Sequence, residues 1–273
     1  MPIRTNLEGA VATRRRHACF AAAAMLATIA PARADEADSV SVMPYRPTVS
    51  TPAMLSAPGW LEVEAGIAAA DLGGADRRDS VPYSAKLAFT DDWGIRIAGE
   101  AWVRDPGAPT TTGTLGGDTS LILKRRFQVD PQSAFGLELG ATFPTARAGL
   151  HSGSGETDYT ATGIYSSDLP HALHVDLNAG LTRLGAVDPG NGRNLAMWAA
   201  ALQDAVSGRW SVVAELSGMH RSGMRSTSQL LAAASFSPSK NVTCDFGGAH
   251  DVGGNGTGWT LFAGVTFLAA HVF

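Results

Sequence analysis

The sequence is short of most of the devices that hold small secreted or cytoplasmic domains together. Only two cysteines occur, Cys19 and Cys244. Past residue 34 no uninterrupted apolar run approaches the ~20 residues that a transmembrane helix requires. If the chain meets a membrane, it does so with strands. Aromatic residues make up 7% and charged residues 17%, with only four Tyr. There is no excess of basic charge, which removes the electrostatic footprint of a nucleic-acid-binding protein. The seven His are scattered singly, and Cys244 has no Cys or His at metal-ligand spacing. No glycine loop opens a helix in the manner of a phosphate-binding site. The sequence therefore implies no metal and no cofactor.

What is present begins with a processing signal. Arg14, Arg15, Arg16 and His17 form a basic cluster, residues 18–30 carry no charge, and Pro31 precedes Ala32-Arg33-Ala34. A positive head, a short apolar middle and a small-x-small exit read as a cleaved secretory signal over 1–34, with Asp35 as the mature start. Three consecutive arginines also fit twin-arginine export, although the surroundings suit general secretion better. Removing the five Arg and one Glu of residues 1–34 from 21 basic and 25 acidic residues leaves 16 and 24, a net charge near −8. Cys19 leaves with the signal, so Cys244 has no partner for an internal disulfide.

Residues 35–59 are polar and carry Pro44, Pro47, Pro52 and Pro58. Proline fixes φ and removes a donor, so this stretch reads as an extended periplasmic leader rather than part of a sheet. From Trp60 the pattern turns to period two. Leu61, Val63, Ala65 and Ile67 alternate with Glu62, Glu64 and Gly66; Leu173, Val175, Leu177, Ala179 and Leu181 alternate with His174, Asp176, Asn178 and Thr182. Such alternation sends apolar side chains to one face of a strand and polar ones to the other. Nine clear segments and three weaker ones, near 194–203, 228–236 and 242–250, make twelve.

Alternation alone leaves a soluble secreted β protein open; the connections discriminate. Short, turn-rich links near 90–92, 129–132, 167–170, 204–208 and 238–241 alternate with longer ones at 70–79, 105–117, 144–156, 183–193, 219–227 and 251–257. Tight periplasmic turns and longer external loops around an even strand count describe an outer-membrane barrel. The sequence thus predicts an all-β, transmembrane antiparallel up-and-down β-barrel of about twelve strands over 60–273, after a cleaved signal peptide. Lipid would surround it, since closure partners every backbone N–H and C=O in hydrocarbon. Trp60, Trp93, Phe135 and Trp210 each begin a strand after the leader or a short turn, placing them at one rim, where aromatic rings favour the interface. The terminal Phe273 looks like an aromatic read by the barrel-assembly machinery.

The polar positions of these strands would line a lumen: Glu62, Glu64, Lys86, Arg96, Glu100, Lys124, Arg126, Glu138, Asp158, Asp176, Asn178, Glu215 and Asp245. They can form a substrate path, or a plug of paired charges that fills a narrow barrel. Eight strands leave an interior filled by side chains and sixteen leave open water, so twelve predicts a small, partly obstructed channel. An enzyme is not expected. His220 and Ser222 have the residue types of a lipid hydrolase, as His151 does beside Ser152 and Ser154. Both groups fall in external loops, and neither comes with an orienting third residue.

Several motifs are similar to those of one family. Pro44-Tyr45-Arg46-Pro47 followed by Pro58-Gly59-Trp60-Leu61-Glu62-Val63-Glu64-Ala65-Gly66 resembles the mature start of the MetA-pathway phenol-degradation family of outer-membrane transporters. Gly116-Gly117-Asp118 leading into the strand over 121–125 resembles its glycine-aspartate strand, and Phe143-Pro144-Thr145 its proline-threonine strand end. Gly153-Ser154-Gly155-Glu156-Thr157-Asp158-Tyr159 resembles its glycine-rich loop, and the polar residues at 174–178 and Glu215 sit where it carries polar strand positions. The likeness covers roughly 44–267. The family pattern closes near Gly264-Val265-Thr266-Phe267, whereas this chain continues to Phe273, so either Phe could be the assembly signal. The resemblance implies passage of a small-molecule substrate, aromatic or hydrophobic ones among them, across the bacterial outer membrane. A non-conducting structural or interaction barrel is the alternative.

Overall fold

The computed structural model describes residues 40–73, 76–104, 114–146, 153–253 and 258–273. The signal segment, residues 35–39 and His151 lie outside them. Thirteen strand segments follow one another: β1 (Trp60–Gly73), β2 (Asp76–Ala88), β3 (Trp93–Arg104), β4 (Thr114–Leu115), β5 (Thr119–Gln128), β6 (Ser133–Phe143), β7 (Asp158–Leu169), β8 (Leu173–Arg183), β9 (Asn194–Asp204), β10 (Trp210–Arg221), β11 (Thr227–Ser239), β12 (Val242–Gly253) and β13 (Trp259–His271). β4 and β5 are two pieces of one stave. Both pair with β3. Between them the amides of Gly116 and Gly117 still donate to Ala101 O and Glu100 O, at 2.9 and 2.7 Å. Each stave pairs antiparallel with its chain neighbours, and β1 also pairs with β13. The result is a closed barrel of twelve antiparallel strands without an open edge.

The two faces separate as the alternation predicts. Leu121, Leu123, Leu137, Leu139, Leu177, Leu181, Leu216 and Leu230 point outward and are exposed, whereas Glu62, Glu64, Lys86, Lys124, Glu138, Glu215 and Asp245 are buried. This is a soluble protein's pattern inverted, and hydrocarbon is the solvent that explains it. Part of the interior is nonetheless apolar: Ala201, Val213, Leu231 and Ala249 cluster across β9–β12, with Ala233 and Phe262 against them.

The connections 89–92, 129–132, 170–172, 205–209 and 240–241 all fall at one end, which is the periplasmic end by the barrel rule. Asp130 shapes one of them: it accepts from Ser133 Oγ at 2.6 Å and from the amides of Gln132 and Ser133 at 2.8 Å each. Those hydrogen bonds, Ser133 Oγ first, hold its carboxyl below the ordinary Asp range.

Three expectations change. The link expected over 167–170 lies at 170–172, because Ser167↔Val175 and Leu169↔Leu173 still pair. The long loop expected over 70–79 is mostly hairpin, with Ala69↔Asp79 and Asp71↔Arg77 in register. Glycine and charge made it read as loop, yet backbone pairing continues past the apolar band. There Arg78 meets Glu100 at 2.6 Å, and Asp79 meets both Arg77 and Arg104. Trp93, Phe135 and Trp210 do form an exposed rim. Trp60 does not: it is buried, its ring 4.8 Å from that of His271.

The lipid face can be tested at mid-strand. Leu139→Arg is expected to cost ~2–4 kcal/mol in reversible unfolding from lipid vesicles, the depth-dependent cost of a charge facing hydrocarbon.

Candidate functional site

The leader expected on the periplasmic side instead enters the barrel. Residues 43–56 are not strand, and inward-facing side chains hold them across the lumen. Any segment placed there must partner its backbone donors without a ladder. Pro44, Pro47 and Pro52 remove three donors. Barrel side chains take up most of the others. Met43 N donates to Glu62 (2.8 Å), Tyr45 N to Glu64 (2.7 Å), and Val49 N and Ser50 N to Glu215 (3.0 and 2.7 Å). Thr51 N donates to Asn178 (2.9 Å) and Ala53 N to Ser166 Oγ (2.7 Å). Carbonyls are met as well: Lys86 donates to Met43 O (2.6 Å), Asn178 Nδ2 to Thr51 O (2.9 Å), and Lys124 to Pro52 O. Val42 N is tied to Lys240 O at the short-turn end (2.9 Å).

Tyr45 sits at the centre of this arrangement. Its ring lies 3.8 Å from Lys86 Nζ and 4.2 Å from Lys124 Nζ, within cation–π range. Its hydroxyl donates to Met54 O and accepts from Lys124. Around it Lys86 pairs with Glu62 and Glu64 at 2.6 Å each, and Glu138 with both Lys124 and Arg96 at 3.2 Å. The neighbouring Arg46 grips Asp245 through Nε and Nη2, at 3.1 and 3.0 Å. Its guanidinium lies flat on Gly66 and Gly264, which face each other across β1 and β13. A Cβ at Gly66 would come within 2.7 Å of it, so the wall is bare where Arg46 crosses. Further along, Ala53 packs on Ala134 and Ile164. Buried ion pairs add little net stability, but losing one partner strands the other charge. The cage therefore fixes where the segment lies.

The crossing divides the lumen. On the loop side lies a cavity of about 390 Å³, lined by Tyr45, Arg46, Thr48, Val49, Arg96, Glu138, Asn178 and Met197 among others. Hydroxyls bond across its wall, Ser120 to Thr142 at 2.7 Å and Thr160 to Thr182 at 2.8 Å. An adjoining cavity of about 240 Å³ shares Val49 and Met197 and adds Met219. On the short-turn side a cavity of about 560 Å³ is lined by Arg46, Thr48, Met54, His174, Asp176 and Lys240.

Of the predicted lumen residues, Glu62, Glu64, Lys86, Lys124, Glu138, Asn178, Glu215 and Asp245 converge on the threaded segment. Arg96 joins through Glu138. Glu100 pairs with Arg78 nearer the loops, and Asp158 accepts from Gly185 N there at 2.8 Å. Asp176 lies toward the short turns with Ser166 and His174, and Arg126 pairs with Asp92 at the same end of the barrel. Sequence reasoning missed the segment's own contributions, Tyr45, Arg46, Ser50 and Thr51. The available signal was a surplus of inward carboxylates with too few inward cations to meet them. Among the hydrolase candidates, His220 lies in β10, paired with Ala196, rather than in the external loop expected over 219–227, and its Nδ1 is 2.8 Å from Ser226 Oγ rather than from Ser222. Ser222 O instead accepts from Gly192 N.

Three of the quoted motifs meet at the loop end. Asp118 accepts from Ser154 N (2.7 Å) and Ala146 N (3.2 Å), while Thr145 Oγ1 donates to Gly117 O (3.1 Å). The fourth, Pro44-Tyr45-Arg46-Pro47, is the crossing itself.

A closed twelve-stranded barrel with an apolar exterior and a charged, part-filled interior is the architecture of a transmembrane β-barrel. Solved structures agree on the fold. An outer-membrane channel from Pseudomonas putida F1 superposes with a TM-score of 0.59 at 12% identity, over 78% of this chain and 97% of that one. The KdgM porin gives 0.56 at 9% identity and the NanC porin 0.55 at 11%, each over 76% of this chain and 98% of its own. No family model matches the sequence, and no curated protein does.

Glu215→Ala would leave two amides and one hydroxyl without their acceptor. Hydrogen exchange at Val49 and Ser50 is expected to accelerate at least about tenfold, since an orphaned buried donor costs ~1–3 kcal/mol. Exchange in the β10 ladder should change far less.

Proposed function

We propose that this chain is a passive outer-membrane channel for small molecules, aromatic and hydrophobic ones among them, with residues 43–56 setting the resistance of its pore. One observation carries the reading. What separates the cavities on either side is a non-strand segment held by side-chain hydrogen bonds, rather than a packed core. Releasing it requires no strand to leave the barrel. The apolar inner wall around Val213, Leu231 and Ala249, with Met197 and Met219 near the loop end, suits solutes that bury nonpolar surface; methionine adapts to varied shapes. Arg96, Glu138, Asn178 and the hydroxyl pairs would supply the polar side of the path, and Asp176 its exit.

In this reading residues 1–34 are a cleaved export signal, 60–273 form the barrel, and the outer membrane is its location. Insertion is by the barrel-assembly machinery, with lipid as the permanent neighbour. Membership of the MetA-pathway phenol-degradation family fits the convergence of its quoted motifs at Asp118 and Tyr45. A non-conducting barrel is the second reading, favoured by the number of charges already paired around Tyr45.

Planar-bilayer recording separates the two. The native protein should show a small conductance, and the double variant Glu64→Ala, Glu215→Ala a larger one, by about twofold if the segment fills half of the lumen cross-section and conductance follows open area. A deletion strain should take up aromatic substrates more slowly and recover with the native gene. Conductance of both proteins at the level of an empty bilayer, together with unchanged uptake across a substrate panel, rules out the channel.

A further inference from the structure

The lipid-facing wall carries one charge that the alternation does not account for. On β5 the odd positions face outward: Leu121, Leu123 and Phe127 are exposed apolar residues, and Arg125 shares their face. It lies directly opposite Trp93 on β3 and Leu137 on β6. Its guanidinium carbon sits 4.7 Å from the Trp93 ring centroid and 4.8 Å from that of Phe127. Its Nε is buried and has no hydrogen-bond partner. Asp92, which precedes Trp93, is engaged by the inward-facing Arg126, and Asp130 by Gln132 and Ser133 of its own turn. Among the described residues, no acidic group forms an ion pair with Arg125.

A charge facing hydrocarbon is costly, and a protein keeps one at the interface, where it can reach a headgroup. Arg125 lies four residues from the turn at 129–132, in the band of exposed rim aromatics Trp93, Phe127 and Phe135. The two rings flank the guanidinium and Nε is buried, which leaves the Nη1–Nη2 edge to meet a ligand. That edge matches two oxygens of a phosphate. The geometry points to a phospholipid site on the outer wall, at the short-turn rim. Arg125 binds the headgroup phosphate, Trp93 and Phe127 hold the guanidinium, and the acyl chains lie along Leu123, Leu137 and Leu139. The site rests on the barrel's facing lipid but not on its conducting.

The test uses the full mature barrel in dodecyl maltoside, titrated with dimyristoyl phosphatidylglycerol and followed by native mass spectrometry. The native protein should retain one phosphatidylglycerol per barrel. Arg125→Gln should lower its occupancy at least about tenfold, the scale of one charge-assisted bidentate contact. Arg209→Gln, which removes an exposed charge from another turn at the same rim, should leave it unchanged. Trp93→Leu with Phe127→Leu, which keeps the arginine, should weaken retention several-fold; this variant carries the test if Arg125→Gln loses its heat-modifiable gel mobility. Dimyristoylglycerol, with the same chains and no phosphate, should not be retained. Equal occupancy in native and Arg125→Gln proteins overturns the site, as does equal retention of dimyristoylglycerol. Displacement by inorganic phosphate at the lipid's own concentration overturns the lipid assignment, leaving a water-accessible anion site. None of these readouts involves conductance, so failure here is distinct from failure of the channel reading.

Discussion

Unpartnered backbone polar groups cannot stand in hydrocarbon, and that constraint shapes both the wall and what crosses the lumen. In the wall it is met by closure: β1 pairs with β13 as well as β2, so no edge remains. In the lumen it is met the opposite way. A segment that makes no ladder has its donors taken up one at a time by Glu62, Glu64, Asn178, Ser166 and Glu215. The wall's hydrogen bonds are indifferent to side chain; those of the segment depend on particular carboxylates. The barrel therefore tolerates changes that would release the segment.

The same contrast explains why the interior is charged. Glu62, Lys86, Glu138 and Lys124 are almost wholly buried, a costly place for ions in any protein. Each is compensated twice, by an opposite charge and by a backbone group or hydroxyl of the segment. Glu215 differs in having its charge met by two amides and a hydroxyl instead of a cation. Charge in this lumen works as an acceptor array that recognises an extended chain containing prolines. In the proposed channel, a solute would meet the residues left over: the hydroxyl pairs, Arg96, Met197 and the alanine-rich wall.

The outer wall follows the complementary logic. Its apolar band is thin and rich in alanine, with aromatic side chains gathered toward the rims. Trp93, Phe135 and Trp210 mark one boundary, and Tyr159, Trp198 and Trp259 are exposed toward the other. Beyond the band the sheet continues as charged hairpin, where Arg78, Glu100, Asp79 and Arg104 pair across strands in contact with water.

The sequence by itself determined the strands, their number, their inward and outward faces and the end at which the tight turns lie. Those features repeat with period two, and a repeating signal survives in one dimension. Even Glu62, Glu138 and Asp245 could be assigned to the lumen from parity alone. The sequence did not reveal that the 70–79 stretch pairs, since backbone hydrogen bonds leave no mark on side-chain pattern, nor that Trp60 is buried against His271. Above all, it left open what the inward carboxylates hold. Met43 meets Glu62 across 19 residues, but Ser50 meets Glu215 across 165 and Arg46 meets Asp245 across 199. Only the closed barrel brings those positions together, because curvature places strands remote in sequence around a single axis, and the proline-rich segment crosses it.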